Sequence, residues 1–343
     1  MAFHGWPLSQ CQTEPLLNQL FGGIRVIDIR LAVVPPPFSL RGPSKVTVTP
    51  ELFAYHGFWP QQTPFFTILN DVFEFLTSPV GQTETIVMSI KQEDAKLTPP
   101  GVFSLMVRDA IMFGPGGGWV GAKTVGSNVN SGMWFLENRI PTLGEVRGKA
   151  VLFSRFGGDG SAWPEGLEGI GIHPRTWPDS RKEGFEWDLK GTRFRTHDWY
   201  SIGSFLSIPE KAKLATMNLI PPIGMDQPVL PITFFSAVNV PLALPPIVAK
   251  GLGWPDWGIG FYGVNALLGK WLLEEIGTTT NCVNRCSEKT SVDRDLEKNE
   301  DNFAEEPRIR GWMFMDYYSE PGEVVPLLVE CNFLGRKNGE EGW

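Results

Sequence analysis

The residues Gly23-Ile24-Arg25-Val26-Ile27-Asp28-Ile29-Arg30 decide the fold class of this 343-residue chain. The run is almost continuously apolar and ends in charged side chains, which predicts a buried strand that carries charge to its carboxyl end. Arg30 would present a planar guanidinium that is always charged and suits a phosphate. His56, in Tyr55-His56-Gly57, could donate a proton. The two residues together indicate phosphodiester chemistry.

Apolar runs of strand type alternate with helical patterns along the rest of the chain. The predicted elements are helices over 65–76, 102–113 and 265–276 and strands over 84–91, 149–155, 231–237 and 311–316. This alternation is typical of a parallel α/β sheet, and the chain is long enough for a TIM-type (β/α)8 barrel. An open doubly wound sheet is the alternative, although no Gly-rich dinucleotide fingerprint follows a strand.

Residues that could carry chemistry fall at or just after the predicted strand ends. They are Arg30, His56, Lys91, Arg155, Asp198 and Asp316. A TIM-type barrel gathers its active site from the carboxyl ends of its strands, so these side chains are predicted to converge. Asp28 lies two residues before Arg30 on the same face of the strand and is predicted to orient the guanidinium. A purely structural ion pair is the alternative interpretation of Asp28 and Arg30.

Composition narrows the class of partner. The formal net charge of -8 and the isoelectric point near 5.2, without a basic stripe, argue against a nucleic-acid binder. The 13 Trp and 23 Phe are interpreted as packing residues or, alternatively, as rings that contact a lipid interface. The uncharged run over 229–249 contains four prolines, which would break a membrane-spanning helix. A contact with a membrane surface would therefore be peripheral.

Other segments carry weaker signals. Cys282 and Cys286 lack a neighbouring His or Cys that would complete a zinc site, so a disulfide or free thiols are expected. Residues 1–343 are predicted to form a single domain. Within it, 156–190 is an irregular insert and the acidic segment 287–306 is a disordered loop. The first residues lack the pattern of a signal peptide, which favours a cytoplasmic location.

Five segments, in order, carry a resemblance to a known family. They are 23–30, 55–57, 84–91, 148–155 and 312–317. Together they resemble the catalytic X-domain of phosphatidylinositol-specific phospholipase C and, more closely, the bacterial and fungal phospholipase C-like phosphodiesterases. The resemblance covers nearly the whole chain and implies a distorted TIM barrel. It also implies cleavage of an inositol phospholipid by internal attack of the 2-hydroxyl on phosphorus.

The resemblance implies a role for each matching residue. Arg30 matches the phosphate-binding arginine that stands where the animal enzymes hold calcium, which implies a reaction without a metal or other cofactor. His56 matches the general acid that protonates the leaving group. The remaining matches are Lys91 and Arg155, which line the inositol hydroxyls, Asp198 and Tyr200, which bind and stack on the sugar ring, and Asp316, which orients the general-base histidine.

The general-base motif of the family, of the type Gly-Thr-His-Asp/Asn, has no match in this sequence. It would precede a pair like Met1-Ala2, so the base and the first barrel strand are expected upstream of the sequence or absent from a natural short form. His4 is the nearest histidine, and aromatic packing beside Trp6 is its expected role. Loss of a general base typically costs about 10²–10⁴-fold in rate.

Two functions are the main candidates. The first is a phosphoric diester hydrolase or lyase that acts on an inositol phospholipid or glycosyl-inositol headgroup. The second is a non-catalytic module that binds such a headgroup through Arg30. A metal-dependent glycerophosphodiesterase on the same barrel is a third possibility, but it would need several carboxylates near the first strand ends, where only Asp28 lies.

Overall fold

A computed structural model of the chain describes residues 9–34, 50–117, 132–158, 170–220, 228–287 and 309–333, with the backbone alone over 277–287. The chain divides into two compact units. The first consists of residues 1–178 with 339–343, and the second of residues 179–338. Each unit has its own sheet and its own hydrophobic core.

The first unit has six strands and four α-helices among its described residues. The strands are β1 (Val26–Val34), β2 (Glu51–His56), β3 (Trp59–Pro64), β4 (Thr85–Gln92), β5 (Trp134–Phe135) and β6 (Lys149–Arg155), and the helices are α1 (Leu16–Phe21), α2 (Phe65–Thr77), α3 (Pro100–Phe113) and α4 (Leu143–Val146). The sheet order is β3-β2-β1-β4-β6-β5. β1, β4, β6 and β5 are parallel, whereas β2 and β3 are antiparallel to their neighbours.

The core of the first unit lies on one face of this sheet because side chains alternate along each strand. Ile27, Ile29 and Leu31 of β1 join alternate residues of β4 and β6 in one buried cluster. Helix α2 packs into the same cluster, since its apolar residues recur every three or four positions from Phe65 to Leu76. The intervening residues of β1, Asp28 and Arg30, therefore belong to the other face of the sheet.

The second unit has six strands and four α-helices among its described residues. The strands are β7 (Phe185–Leu189), β8 (Thr192–His197), β9 (Val229–Phe234), β10 (Gly251–Trp254), β11 (Ile259–Tyr262) and β12 (Trp312–Phe314), and the helices are α5 (Ile208–Met217), α6 (Pro245–Lys250), α7 (Val264–Ser287) and α8 (Val324–Cys331). The main sheet has the order β12-β9-β8-β7, and β10 and β11 form a separate hairpin. β8, β9 and β12 are parallel, so α5 is the crossover between β8 and β9.

The α/β class and most of the predicted elements are confirmed. Three expectations are wrong. Arg30 is not at a strand end, because β1 continues to Val34. His56 ends a strand that runs antiparallel to β1. The insert over 156–190 is not irregular throughout, because Phe185–Leu189 pairs with β8 as a strand. The acidic segment 287–306 lies outside the described residues after Ser287, as do His4 and the side chains of Cys282 and Cys286.

Candidate functional site

Three cationic side chains lie at one level of the first sheet. The parallel register pairs Arg30 of β1 with Lys91 of β4, and Lys91 with Arg155 of β6. Because paired residues in a parallel ladder point to the same face, all three side chains project from the face opposite the core. The sheet therefore brings together three of the predicted residues, and this row of cations is the centre of the candidate site.

Asp28 lies one step below this row and neutralises part of it. Its carboxylate accepts a hydrogen bond from Nε of Arg30 at 2.9 Å and one from the hydroxyl of Ser89 at 2.6 Å. Nη1 of Arg155 approaches the same carboxylate at 3.3 Å. Burial would raise the pKa of Asp28, but the charges of Arg30 and Arg155 and these hydrogen bonds lower it to about 2. Asp28 is therefore ionised, and its carboxylate fixes the guanidinium of Arg30.

Glu93 is a member of the site that the sequence analysis missed. It lies just beyond β4, and its Oε1 is 3.4 Å from Nη1 of Arg30 and 3.5 Å from Nζ of Lys91. The sequence offers one signal for Glu93: it lies two residues after Lys91, and residues two apart on an extended chain share a face. With three cations and two carboxylates, the cluster carries one net positive charge, which suits a singly charged phosphodiester.

The three cations differ in how much of each side chain solvent can reach. Arg30 and Lys91 are partly exposed. Arg155 is only 3% exposed, and its guanidinium lies over the Trp177 ring at 4.0 Å. Burial and the positive charge of Arg30 lower the pKa of Lys91. Arg30 and Lys91 can thus contact a ligand directly, whereas the guanidinium of Arg155 is enclosed by its contacts with the Asp28 carboxylate and the Trp177 ring.

His56 lies at the end of β2, where a tight hairpin begins. It pairs with Trp59 across Gly57 and Phe58, and Gly57 adopts the positive φ of +57° that such turns require. Nδ1 of His56 is 3.0 Å from the Ser9 carbonyl oxygen and 3.4 Å from Sγ of Cys11. The ring contacts in the described part of the chain all involve Nδ1, which leaves Nε2 for a ligand.

The charge state of His56 depends on the cation row. Burial and then the positive charge of Arg30 lower its pKa from the ordinary value of 6.5. Glu93 and Asp28 act in the opposite direction but are weaker. The free imidazole is therefore neutral at pH 7. A bound phosphate, which would offset the charge of Arg30, would raise this pKa.

The second unit carries the other three predicted residues near the carboxyl ends of its parallel strands. Asp198 directly follows β8 and is buried, and Asp316 lies two residues beyond β12. The hydroxyl of Tyr200 donates a hydrogen bond to the Asp179 carboxylate, which fixes the orientation of the ring. These three residues share one edge of the second sheet because the strands before them are parallel.

Asn265 holds the loop that carries Asp316. This buried residue of α7 donates Nδ2 to the carbonyl oxygens of Asp316, Tyr317 and Glu320 at 2.9, 3.1 and 3.0 Å. In the same loop Tyr317 has a φ of +48°, a conformation that costs free energy in residues other than glycine. The Asn265 side chain thus fixes the backbone at Asp316. Asn265 is the second site residue that the sequence alone did not indicate.

The other described histidine of the first unit, His173, is buried. Its ring nitrogens contact the carbonyl oxygens of Ser154 and Gly158 at 2.9 and 3.0 Å. Among the described residues, no three His, Cys, Asp or Glu side chains are grouped so that they could hold a metal ion. The helices in that part of the chain are also too short or too polar to cross a membrane.

Comparison with known proteins shows which known fold this chain has. No family model and no curated protein matches the chain. The solved phosphatidylinositol-specific phospholipase C of Staphylococcus aureus superposes with a TM-score of 0.55 at 18% identity, over 94% of this chain and 85% of that chain. A second structure of that protein gives 0.55 at 19% identity over the same shares. This chain has the fold of a bacterial phosphatidylinositol-specific phospholipase C.

The phospholipase C fold confirms the resemblance that the five ordered sequence segments indicated. The corresponding structure from Listeria monocytogenes has 19% identity and a TM-score of 0.45 over 95% of this chain and 85% of that chain. At 18% and 19% identity, the likeness to the two S. aureus structures shows the fold alone.

Proposed function

We propose that the chain is a phosphoric diester hydrolase or lyase that cleaves the headgroup of an inositol-containing phospholipid. The observation that carries the proposal is the row of Arg30, Lys91 and Arg155 at one level of the sheet, with His56 close enough for Arg30 to lower its pKa. Cleavage of a phosphodiester by internal attack needs a base that takes the proton of the 2-hydroxyl, a cation that holds the phosphate and an acid that protonates the leaving alkoxide. The cation row and His56 are proposed to supply the second and third of these groups within the first unit.

Arg30 is the proposed phosphate ligand. Asp28 fixes its guanidinium from one side and Glu93 from the other, so little side-chain entropy is lost when a phosphate binds. A guanidinium in this place would supply the positive charge that a metal ion supplies elsewhere, so no cofactor is required by the proposal. Lys91 is proposed to contact the headgroup hydroxyls, and Arg155 to act through Asp28.

His56 is the proposed general acid. Its Nδ1 faces the Ser9 carbonyl oxygen, so the proton that is transferred would reside on Nε2. The imidazole is neutral in the free protein, and the bound phosphate would raise its pKa and load it with this proton. In the second unit, Asp198 and Tyr200 are proposed to bind the sugar ring, and Asp316 to orient the group that activates the 2-hydroxyl. The distorted TIM-type barrel that the resemblance implies stays part of the proposal.

The test is release of water-soluble inositol phosphate from phosphatidylinositol in detergent micelles with EDTA present. We expect release by the wild-type chain, a loss of at least about 10²-fold in Arg30→Ala and His56→Ala, and wild-type release in Arg108→Ala. Arg108 is a matched control because its ion-pair partner in the described part of the chain is the neighbouring Asp109 on α3. Equal release by Arg30→Ala and wild type would contradict the proposal.

A second candidate function is a headgroup-binding module without turnover. The lowered pKa of His56 favours it, because a neutral imidazole is a poor proton donor at pH 7. Calorimetric titration with inositol 1-phosphate separates the two functions. Binding that Arg30→Ala abolishes, together with no release of inositol phosphate by wild type, would establish the module and exclude the enzyme.

The proposed substrate requires contact with a membrane surface, and the β10–β11 hairpin is suited to it. Membrane binding is described for the S. aureus phospholipase C. In this chain the hairpin exposes 70% of Trp254 and 83% of Trp257, with Leu252 and Ile259 exposed beside them. Tryptophan and aliphatic side chains together favour the boundary between lipid headgroups and acyl chains. We propose that the hairpin makes a peripheral contact with the lipid surface.

A further inference from the structure

Lys211 is a buried cation whose place in the fold is not explained by stability. It lies in the first turn of α5 and is 0% exposed. In the described part of the chain its Nζ has no hydrogen-bond partner. Burial of an ammonium group is costly unless it is paired and hydrogen-bonded. An apolar side chain of similar length would satisfy the packing without this cost.

The position of Lys211 on its helix adds to the cost. A positive charge in the first turn faces the positive end of the helix dipole, which is unfavourable. Lys211 also shares the buried face of α5 with Ile208, Ala212 and Ala215, so its stem is enclosed by apolar groups. Neither solvation nor the helix stabilises the charge, which leaves nearby carboxylates as its source of stabilisation.

The topology brings two carboxylates to the same end of the unit. β8, β9 and β12 are parallel, so the residues that follow them lie at one edge of the sheet, and Asp198 and Asp316 follow β8 and β12. α5 starts its return crossover from that edge, which places its first turn there. The stacked rings of Phe234 and Phe314, 4.4 Å apart, hold β9 and β12 together at this edge.

The electrostatics agree with this placement. Burial lowers the pKa of Lys211 to about 7, and the negative charges of Asp198 and Asp316 oppose that shift. His197 also faces Lys211. Burial and the positive charge of Lys211 lower the pKa of His197 to about 3, so this imidazole is neutral. Among the described residues, Asp198 and Asp316 are thus the charged groups that act on Lys211.

We propose that Lys211 is a positioning residue, a buried ammonium group that holds Asp198 and Asp316 as a carboxylate pair at the ligand-binding edge of the second sheet. The inference rests on the proposed function only in taking that edge as the place where the sugar ring binds. Two carboxylates so placed would repel each other, and the ammonium group offsets the repulsion. When Lys211 loses its proton, the pair loses its shared counter-charge.

The first test measures the coupling without any ligand. In protein labelled with ¹⁵N at the lysine Nζ, the signal that Lys211→Met removes is titrated by NMR. We expect its pKa to lie near 7 in wild type and to fall by at least about 0.5 in both Asp198→Asn and Asp316→Asn, because each substitution removes a negative charge. Asp188→Asn, at the exposed end of β7, should leave it unchanged. An unchanged value in either site variant would overturn the proposal.

The second test measures the effect on the ligand, with myo-inositol as a probe because it has no titratable group. Wild-type affinity should fall at least threefold as the pH rises from 6 to 8. Lys211→Met should bind inositol at least threefold more weakly than wild type at pH 6, and its affinity should not change with pH. Lys211→Arg should restore the affinity but not the pH dependence. The exposed Lys213→Met on the same helix should match wild type in both respects. Equal affinity and equal pH dependence in Lys211→Met would overturn the proposal. If wild type does not bind inositol although the NMR coupling is present, the proposed function fails and the coupling stands.

Discussion

Replacement of Asp28 by asparagine tests whether the cation row depends on its buried carboxylate. The depression of the Asp28 pKa from 3.8 to about 2 corresponds, at 1.36 kcal/mol per pKa unit, to about 2.4 kcal/mol in favour of the folded state at neutral pH. Removal of one partner from a fully buried ion pair typically costs about 3–5 kcal/mol. Because the carboxylate keeps 15% exposure, we expect Asp28→Asn to lose about 2.5 kcal/mol at pH 7.

The pH dependence provides the sharper part of this test. A carboxyl group whose pKa is lower in the folded state stabilises the protein above its unfolded pKa and loses that effect as the pH falls through the folded value. The contribution of Asp28 should therefore decrease from about 2.4 kcal/mol at pH 7 to about 1.3 kcal/mol at pH 3. Urea unfolding, followed by hydrogen exchange in peptides from β1 and β4, measures the difference between wild type and variant in the first unit.

The control is Asp109→Asn, which removes the carboxylate of an exposed ion pair with Arg108. Such pairs contribute little, so its free energy of unfolding should stay within about 0.5 kcal/mol of wild type at both pH values. If Asp28→Asn costs less than about 0.5 kcal/mol at pH 7, or if its cost is the same at pH 3, the electrostatic account of the site is refuted.

Three further predictions concern other parts of the chain. Double replacement of Trp254 and Trp257 by alanine should weaken binding to phosphatidylcholine vesicles at least about tenfold in sedimentation assays while release from micelles of soluble short-chain substrate is kept; unchanged vesicle binding would exclude the hairpin. Asn265→Ala loses three hydrogen bonds and should lower the free energy of unfolding in urea by about 3 kcal/mol. The control is Asn332→Ala at the exposed end of α8, where the amide donates to the carbonyl oxygens of Leu328 and Val329; it should cost under about 1 kcal/mol. Similar costs for both variants would contradict the anchoring role of Asn265. The His56 ring, titrated by proton NMR, should show a pKa below 6.5 that rises when inositol 1-phosphate binds, and a free-protein value at or above 6.5 would contradict the effect of burial and Arg30.

The sequence predicted the row of cations because its determinants are local. Alternating apolar residues specify which face of β1, β4 and β6 is buried, and the charged residue at the end of each run then falls on the other face. A charged end is a poor marker for the end of β1, because Leu31-Ala32-Val33-Val34 continues the apolar pattern and pairs with β2. Gly57 in a two-residue loop is the better signal there, since it is typical of a β-hairpin such as the one that β2 and β3 form.

Other site residues depend on contacts that no local pattern shows. The partners of Asn265 lie 51 to 55 residues away, in a loop whose position is set only by the folded unit. Lys211 is different, because a helical period over Ile208, Lys211, Ala212 and Ala215 already places it on the apolar face of α5. A lysine at such a position is unusual enough to be marked as a candidate functional residue from sequence alone.

The apolar core of the first unit keeps β1, β4 and β6 in register, and this register sets the positions of the three cations. A slip of one residue between β1 and β4 would send Lys91 to the helix-packed face and bring Ile90 to the other side. The apolar residues that prevent this slip lie on the face opposite the cations. They nevertheless determine how far apart the cations are. Conservative exchanges among Ile86, Met88 and Ile90 should therefore preserve the site, whereas an insertion or deletion within β4 would dismantle it while leaving every charged residue in the sequence.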